Sequence, residues 1–226
     1  TAALVALGLA TPEAGAGEVR AGSLLFYVIE RSGDRALAET DSIQRAVRGI
    51  LELSLREGYE VFPTLLVPDG SFMIDRRMGI HGHPFEIQAL FYGLLLVSRS
   101  LLKPTDDNRS LLDRAKARER ALRAYVREHY WVDATRLNEI HRFRTEEFGA
   151  KSLNALNIHP DAIPRWVTDW LPDDAGYFVG NLGPGRMDFR FFALGNLLAV
   201  LFGLASGAQA RALFNLYEHR WEDLVG

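Results

Sequence analysis

The sequence predicts an all-α protein, and three observations predict it. Helical periodicity recurs segment after segment, with polar or glycine-rich breaks between. No β-α-β alternation and no run of alternating strands is present. Apolar helical segments alternate with charged ones, 84–102 before 109–130 and 188–205 before 209–222. That rhythm suits a double ring of helices, apolar inside and charged outside, although no exact repeat accompanies it.

Taken in order, residues 22–31 (GSLLFYVIER) read as the end of an apolar helix, stopped by Ser32 and Gly33. Thr40, Asp41 and Ser42 offer N-cap oxygens to a helix over Ile43 to Glu57, which Gly58 ends. Its apolar residues Ile43, Val47, Ile50, Leu51, Leu53 and Leu55 spread over more than one face, as on a helix packed on two sides. Tyr59 to Val67 is extended and apolar, and Pro63 argues against a central strand. Pro84 then starts a helix to about Leu102, apolar nearly all round and so deeply buried.

Arg109 to Tyr130 is a charged, solvated helix with one buried stripe. Residues 136–148 form a shorter surface helix, and Ile163 to Leu171 a helical turn carrying Trp166 and Trp170. Tyr177 to Met187 (YFVGNLGPGRM) is a glycine-rich loop with room for a short hairpin. Asp188 caps an apolar helix to about Ala205, and Gln209 to Glu222 forms the last amphipathic helix.

The 226 residues, 48% hydrophobic and 24% charged, suffice for a substantial core. A net charge of -3 gives no general pull toward nucleic acid or anionic membrane. Without cysteine there are neither disulfides nor thiolate metal sites, and nothing indicates an oxidising compartment, so a cytoplasmic location is expected. No apolar run approaches the roughly 20 residues that cross a bilayer. The opening TAALVALGLATPEAGAGEV has the apolar core of a signal peptide without its basic start. Residues 1–21 are therefore expected to be an irregular start to a truncated or fused chain, and 22–226 the folded domain.

Chemistry concentrates in PDGSFMIDRRMGIHGHPFEIQALF, from Pro68 to Phe91. Asp75 sits beside Arg76 and Arg77, with His81 and His83 following, all just ahead of the Pro84 helix. Polar groups packed this closely among apolar neighbours are unfavourable to fold unless they bind something polar. A carboxyl serving as general acid needs apolar surroundings, which Phe72, Ile74 and Met78 supply, whereas the two arginines favour its charged form. Asp75 thus reads either as a catalyst or as half of a structural ion pair. His81 and His83 in HGH have metal-like spacing with Glu86 nearby, but no further ligand pair stands out. Hydrogen bonding to a polyhydroxyl ligand or to the turn is the simpler account, and neither metal nor cofactor is expected.

Glu86 and Gln88 fall in the first helical turns, where a carboxylate also gains from the helix dipole. The second candidate, GNLGPGRMDFRFF, has a phosphate-loop's glycines but not its terminal Gly-Lys-Ser/Thr, and Pro184 removes a donor. A turn delivering Asp188 as N-cap accounts for it. Trp131, Trp166, Trp170, Tyr177, Phe189 and Phe191 suit either sugar stacking or a core.

The string FPTLLVPDGSFMIDRRMGIHGHPFEIQALFY resembles the signature of the alkaline/neutral invertases, cytosolic sucrose hydrolases of plants and cyanobacteria. NIHPDAIPRWVTDWLP followed by GNLGPGRMDFRFFALGNLLAVLFGLAS resembles a second hallmark at a compatible distance, and SIQRAVRGILELSLREGYEVFPT fits the region ahead of the first. The similarity runs from about Leu24 to Ala205. It implies an (α/α)6 barrel, here an incomplete portion of the ring. It also implies inverting hydrolysis of sucrose to glucose and fructose, one carboxylic acid protonating the bridge oxygen while a carboxylate activates water. Inverting pairs stand roughly 6.5–9.5 Å apart.

The resemblance makes Asp75, the aspartate of MIDRRMG, the general acid. Arg76, Arg77, His81, His83, Glu86, Gln88 and Asp188 become candidates for shaping the sugar pocket. Two departures stand out. Residues 1–21 lack the family's tryptophan-bearing helix, and the chain is about half the family's usual length. The family's catalytic glutamate, in a C-terminal stretch, has no counterpart here, so the chain alone is expected to show negligible invertase activity. Open flanks of helices 84–102 and 188–205 would then seek a partner, a second copy among them. A non-catalytic sugar-binding or docking protein and a phosphorylase on the same ring are the alternative readings.

Overall fold

The computed structural model of the chain describes residues 27–56, 60–61, 63–65, 82–143, 158–183 and 186–225. Most of them are helical, in line with the all-α expectation. Two compact units divide the chain, one of residues 1–83 with Ile87–Ala124, the other of Pro84–Glu86 with Tyr125–Gly226.

In the first unit the helix at 27–32 stops where the Ser32 hydroxyl donates to the Ile29 carbonyl, 2.8 Å away. The next long helix, Asp41–Ser54, buries Ala46, Val47, Ile50, Leu51 and Ser54, a single stripe at helical spacing. Thr40 does not cap it through its side chain; its hydroxyl donates to Leu37 instead. Glu57 and Gly58 lie outside the described residues. Strands β1 (Glu60–Val61) and β2 (Thr64–Leu65) pair antiparallel, with Pro63 between them where no ladder bond is needed.

The helix Phe85–Leu101 is buried along nearly its whole length, as its composition predicts, with Leu96 the exposed large apolar residue. Gln44 ties down its end, donating to the Leu101 carbonyl at 2.8 Å and accepting from the Lys103 amide at 2.9 Å. The charged helix Asp106–His129 buries Leu111, Ala115, Leu122 and Val126, the one stripe expected of it. In the first unit this helix also supplies Glu119, which pairs with Arg99, and Arg114, which donates to the Leu55 carbonyl.

The second unit corrects the sequence reading at the glycine-rich loop. It is a well-formed antiparallel hairpin of β5 (Gly176–Gly183) and β6 (Arg186–Phe191). A further strand, β4 (Trp131–Asp133), pairs with the start of β5, and the short β3 (His83–Pro84) adjoins β5 in the same sheet. Aromatic and β-branched residues favour a half-buried pleat, which outweighs the glycines as a loop signal. Tyr177 and Phe178 point to opposite faces of β5, and both are fully buried. Phe178 stacks on Phe85 at 4.7 Å and meets Trp131 at 5.0 Å. Tyr177 packs with Trp170 and Phe191, and its hydroxyl donates to the Phe189 carbonyl. Each such aromatic contributes about 1.5–3 kcal/mol through burial.

Gly180 stands where the register slips between Val179 and Asn181. A β-carbon there would lie 2.4 Å from the Phe192 ring.

The helix expected from Asp188 begins later, at Ala193, after Phe192. Asp188 lies within β6 and caps nothing. This helix, Ala193–Leu201, is also less buried than expected. It buries Gly195, Asn196, Leu198 and Ala199 but leaves Leu194, Leu197 and Leu201 exposed at 51%, 45% and 52%. The expectation of an apolar flank open to solvent therefore fits 193–201 and not 85–101.

The surface helix expected over 136–148 runs Ala134–Arg142, and 144–148 lie outside the described residues. Its start rests on Asp133, whose carboxylate accepts from the Arg136 amide at 2.8 Å. Helix Gly207–His219 opens on a reciprocal capping box between Ser206 and Gln209.

Candidate active site

Asp75, Arg76, Arg77 and His81 lie outside the described residues. The structure does describe the chain on both sides of them, and there the geometry is specific. On the incoming side, the Gln88 side chain meets the backbone of Leu65. Its Oε1 accepts from the Leu65 amide at 2.8 Å, and its Nε2 donates to the Leu65 carbonyl at 2.9 Å. Gln88 is 0% exposed. An amide buried on an apolar helix must find both a donor and an acceptor, and one strand residue supplies both. Gln88 thus acts on the chain itself, through the two polar atoms expected to face a ligand.

On the outgoing side, His83 Nδ1 and Thr64 Oγ1 share a hydrogen bond of 2.8 Å. Burial pushes the His83 imidazole below its ordinary value, and a hydrogen bond to the Leu65 backbone opposes that shift. Burial therefore favours the neutral ring. Thr64 was not singled out by sequence reasoning. Its signal is faint, a hydroxyl in the apolar string between Pro63 and Leu65.

In the second unit, Glu86 is 2% exposed in the first turn of its helix, where the dipole favours a carboxylate. Its backbone is approached closely by the 193–201 helix. A β-carbon on Gly195 would lie 3.1 Å from the Glu86 Cα and 3.2 Å from its amide nitrogen. Only glycine admits that approach without displacing backbone.

Asp188 is gripped by Arg190, with Nε to Oδ1 at 2.9 Å and Nη2 to Oδ2 at 2.6 Å. The Arg190 amide also donates to Oδ1 at 3.1 Å. This fork engages both carboxylate oxygens and turns Asp188 toward its own strand.

Asn196 was likewise missed. It is 0% exposed, accepts from the Phe178 amide at 2.8 Å and donates to the Phe178 and Phe192 carbonyls at 3.0 Å each. The aromatics considered for sugar stacking divide. Tyr177 and Phe189 are core, Trp131 is nearly so, and Trp166 is exposed at 41%. No cluster of three or more His, Asp or Glu side chains suited to a metal ion occurs among the described residues. Nor is any helix among them long and apolar enough to cross a membrane.

These features define a mostly helical protein in which buried amides on apolar helices hold the backbone of neighbouring strands. Residues 23–226 match the family description "Alkaline and neutral invertase", and the chain belongs to that family. It is similar to rice "Neutral/alkaline invertase 1, mitochondrial", at 50% identity over 86% of this chain and 31% of that protein. Arabidopsis thaliana "Alkaline/neutral invertase CINV2" is 48% identical over 90% of this chain and 36% of its own length. Rice "Cytosolic invertase 1" is 46% identical over the same shares. The chain thus spans about a third of the length of these curated relatives.

Proposed function

We propose that this chain carries the acid-bearing part of an inverting sucrose hydrolase. The observation behind this reading is the family match over 23–226, which takes in the whole Asp75 segment and both hallmark strings. Asp75 donates its proton to the glycosidic oxygen as the glucose–fructose bond breaks, and a carboxylate on the far side of the sugar ring activates water. Among the chain's own candidates, Glu86 and Asp188 do not fill that second role. Glu86 sits buried in a helical turn and Asp188 is committed to Arg190.

Arg76, Arg77, His81, His83, Glu86 and Asp188 are the candidates for shaping the sugar pocket and its charge in this reading. Gln88 acts in this reading through its bonds to Leu65, on the chain that leads into the Asp75 segment. The barrel of helices implied by the resemblance would supply the ring around it. The relatives bear mitochondrial and cytosolic names, and a cytoplasmic location for this chain is part of the proposal.

Glucose release from sucrose by the purified chain should be negligible, and measurable turnover would overturn the missing-base reading. In a polypeptide that contains this segment and hydrolyses sucrose, Asp75→Asn should lower kcat about 10²–10⁴-fold, the usual range for a lost general acid. Near-normal turnover in that variant would remove Asp75 from the mechanism. A second reading, a non-catalytic sugar-binding or docking protein, gains support from the exposed Leu194, Leu197 and Leu201 stripe. A monodisperse chain that binds sucrose without turnover would favour it.

A further inference from the structure

We propose that Gln88, Thr64 and His83 form a positioning clamp that joins and fixes the two ends of the segment carrying Asp75. Thr64 and His83 stand nineteen positions apart in the chain, yet their side chains share a hydrogen bond of 2.8 Å. Leu65, adjoining Thr64, is held by both polar atoms of Gln88 and also by a hydrogen bond from His83. Gln88 stands on a buried helix that begins two residues after His83. Both ends of the segment are therefore referred to one rigid element, the start of the 85–101 helix.

The physics favours this arrangement. Bringing the ends of a chain segment together loses entropy, and contacts between those ends offset that loss once, before any ligand arrives. A reacting group on a segment whose two ends are held is better placed, and small errors in placement are expensive in rate. Gln88 suits the task because its planar amide presents an acceptor and a donor side by side, as a neighbouring strand would. Among the described residues the two-residue strand β2 pairs with the two residues of β1, and the side chain extends that very short ladder.

The clamp's role in catalysis rests on the reading of Asp75 as the acid; its existence does not. Its signature is that loosening one end loosens the other. Gln88→Met keeps the side-chain volume and removes both bonds to Leu65. Thr64→Val keeps the shape and removes the hydroxyl, and Thr64→Ser restores it.

On the whole chain, Gln88→Met should speed Leu65 amide exchange about tenfold or more. It should also return the His83 titration toward that of an ordinary imidazole. Thr64→Val should quicken Leu65 exchange, Thr64→Ser should leave it near the parent rate, and helix 106–129 should keep its protection in all three. An unchanged His83 titration in Gln88→Met, or unchanged Leu65 exchange in Thr64→Val, overturns the clamp. In a polypeptide that hydrolyses sucrose, Thr64→Val should lower kcat more than it raises KM, and an exchange change with no loss of kcat removes the positioning role. Failure of the acid reading shows separately, as undiminished turnover in Asp75→Asn.

Discussion

Gln88 and Asn196 do the same work in the two units, and they differ in what depends on it. Each is an amide with no exposure on an otherwise apolar helix, and each holds the N–H and C=O of one strand residue. Asn196, one methylene shorter, adds a third bond to Phe192 at the foot of its own helix. Its strand is eight residues long, paired with β4 and β6 and packed by aromatics on both faces. Gln88 holds a strand of two residues from which the Asp75 segment departs. A lone amide in an apolar string therefore marks a backbone tie, and what lies beyond the strand decides whether the tie serves stability or placement. Asn196 should matter most for the fold, Gln88 for the site.

The sharpest way to break that division is to remove the larger tie. Asn196→Leu fills the space and deletes three side-chain hydrogen bonds, two of them buried, and should destabilise the chain by about 3 kcal/mol in urea unfolding. Gln88→Met, with two bonds lost in a shorter ladder, should fall well below it. If the two variants unfold at the same urea concentration, burial of the strands and not bond number sets the value of each tie.

Next in size is the residue beside Asn196. Gly195→Ala places a β-carbon 3.1 Å from the Glu86 backbone, which cannot swing aside as a side-chain tip can. A loss of about 1–3 kcal/mol is expected from overpacking. Gly207→Ala, whose β-carbon meets only Arg211 Nη1 at 3.9 Å, should be near neutral and serves as the control. Equal effects at the two glycines would mean that the 193–201 helix does not press on the start of 85–101.

The string ALGNLLAV carried both of these features in plain view, yet neither was legible in it. Periodicity locates helices and their apolar faces, so the buried 85–101 helix and the striped 106–129 helix could be read directly. It does not say which partner a buried polar group finds, since Gln88 could as well face a ligand as Leu65. The 176–191 hairpin was obscured for a different reason. Its glycines look like loop signals, but Gly180 sits at a register slip against Phe192. Asp188 followed the same error, because an aspartate before an apolar run reads as a cap unless the strand bonding that displaces it is known. The exposed leucines of 193–201 were legible only as an apolar count, which says nothing about which side is covered.

A smaller effect tests reach. Gln88→Asn keeps the chemistry of the amide and withdraws it by one methylene, so both bonds to Leu65 should be lost or badly strained. A loss of about 1–2 kcal/mol is expected, with faster Leu65 exchange, because net hydrogen-bond contributions are modest once water can substitute. An Asn that serves as well as Gln here would show that β2 moves to meet its partner, and would weaken the case for a rigid base.

The smallest effect separates the two ties by pH. His83 stands in the first, while the groups bonded to Asn196 are all backbone. Burial lowers the His83 pKa in the fold, so below the unfolded value near 6.5 the unfolded chain takes up a proton that the folded chain resists. The stability linked to His83 is thus fully present above about pH 6.5 and declines as the pH falls below it. His129 adds to the same decline; its pKa is lowered by burial, with Glu128 raising it and Arg136 lowering it further. Urea unfolding between pH 7.5 and 5.5 should therefore show stability falling on acidification. His83→Asn should make the fall shallower without abolishing it, and Asn196→Leu should leave its slope unchanged. A His83→Asn profile as steep as the parent's would mean that the imidazole is not held neutral at the base of the Asp75 segment.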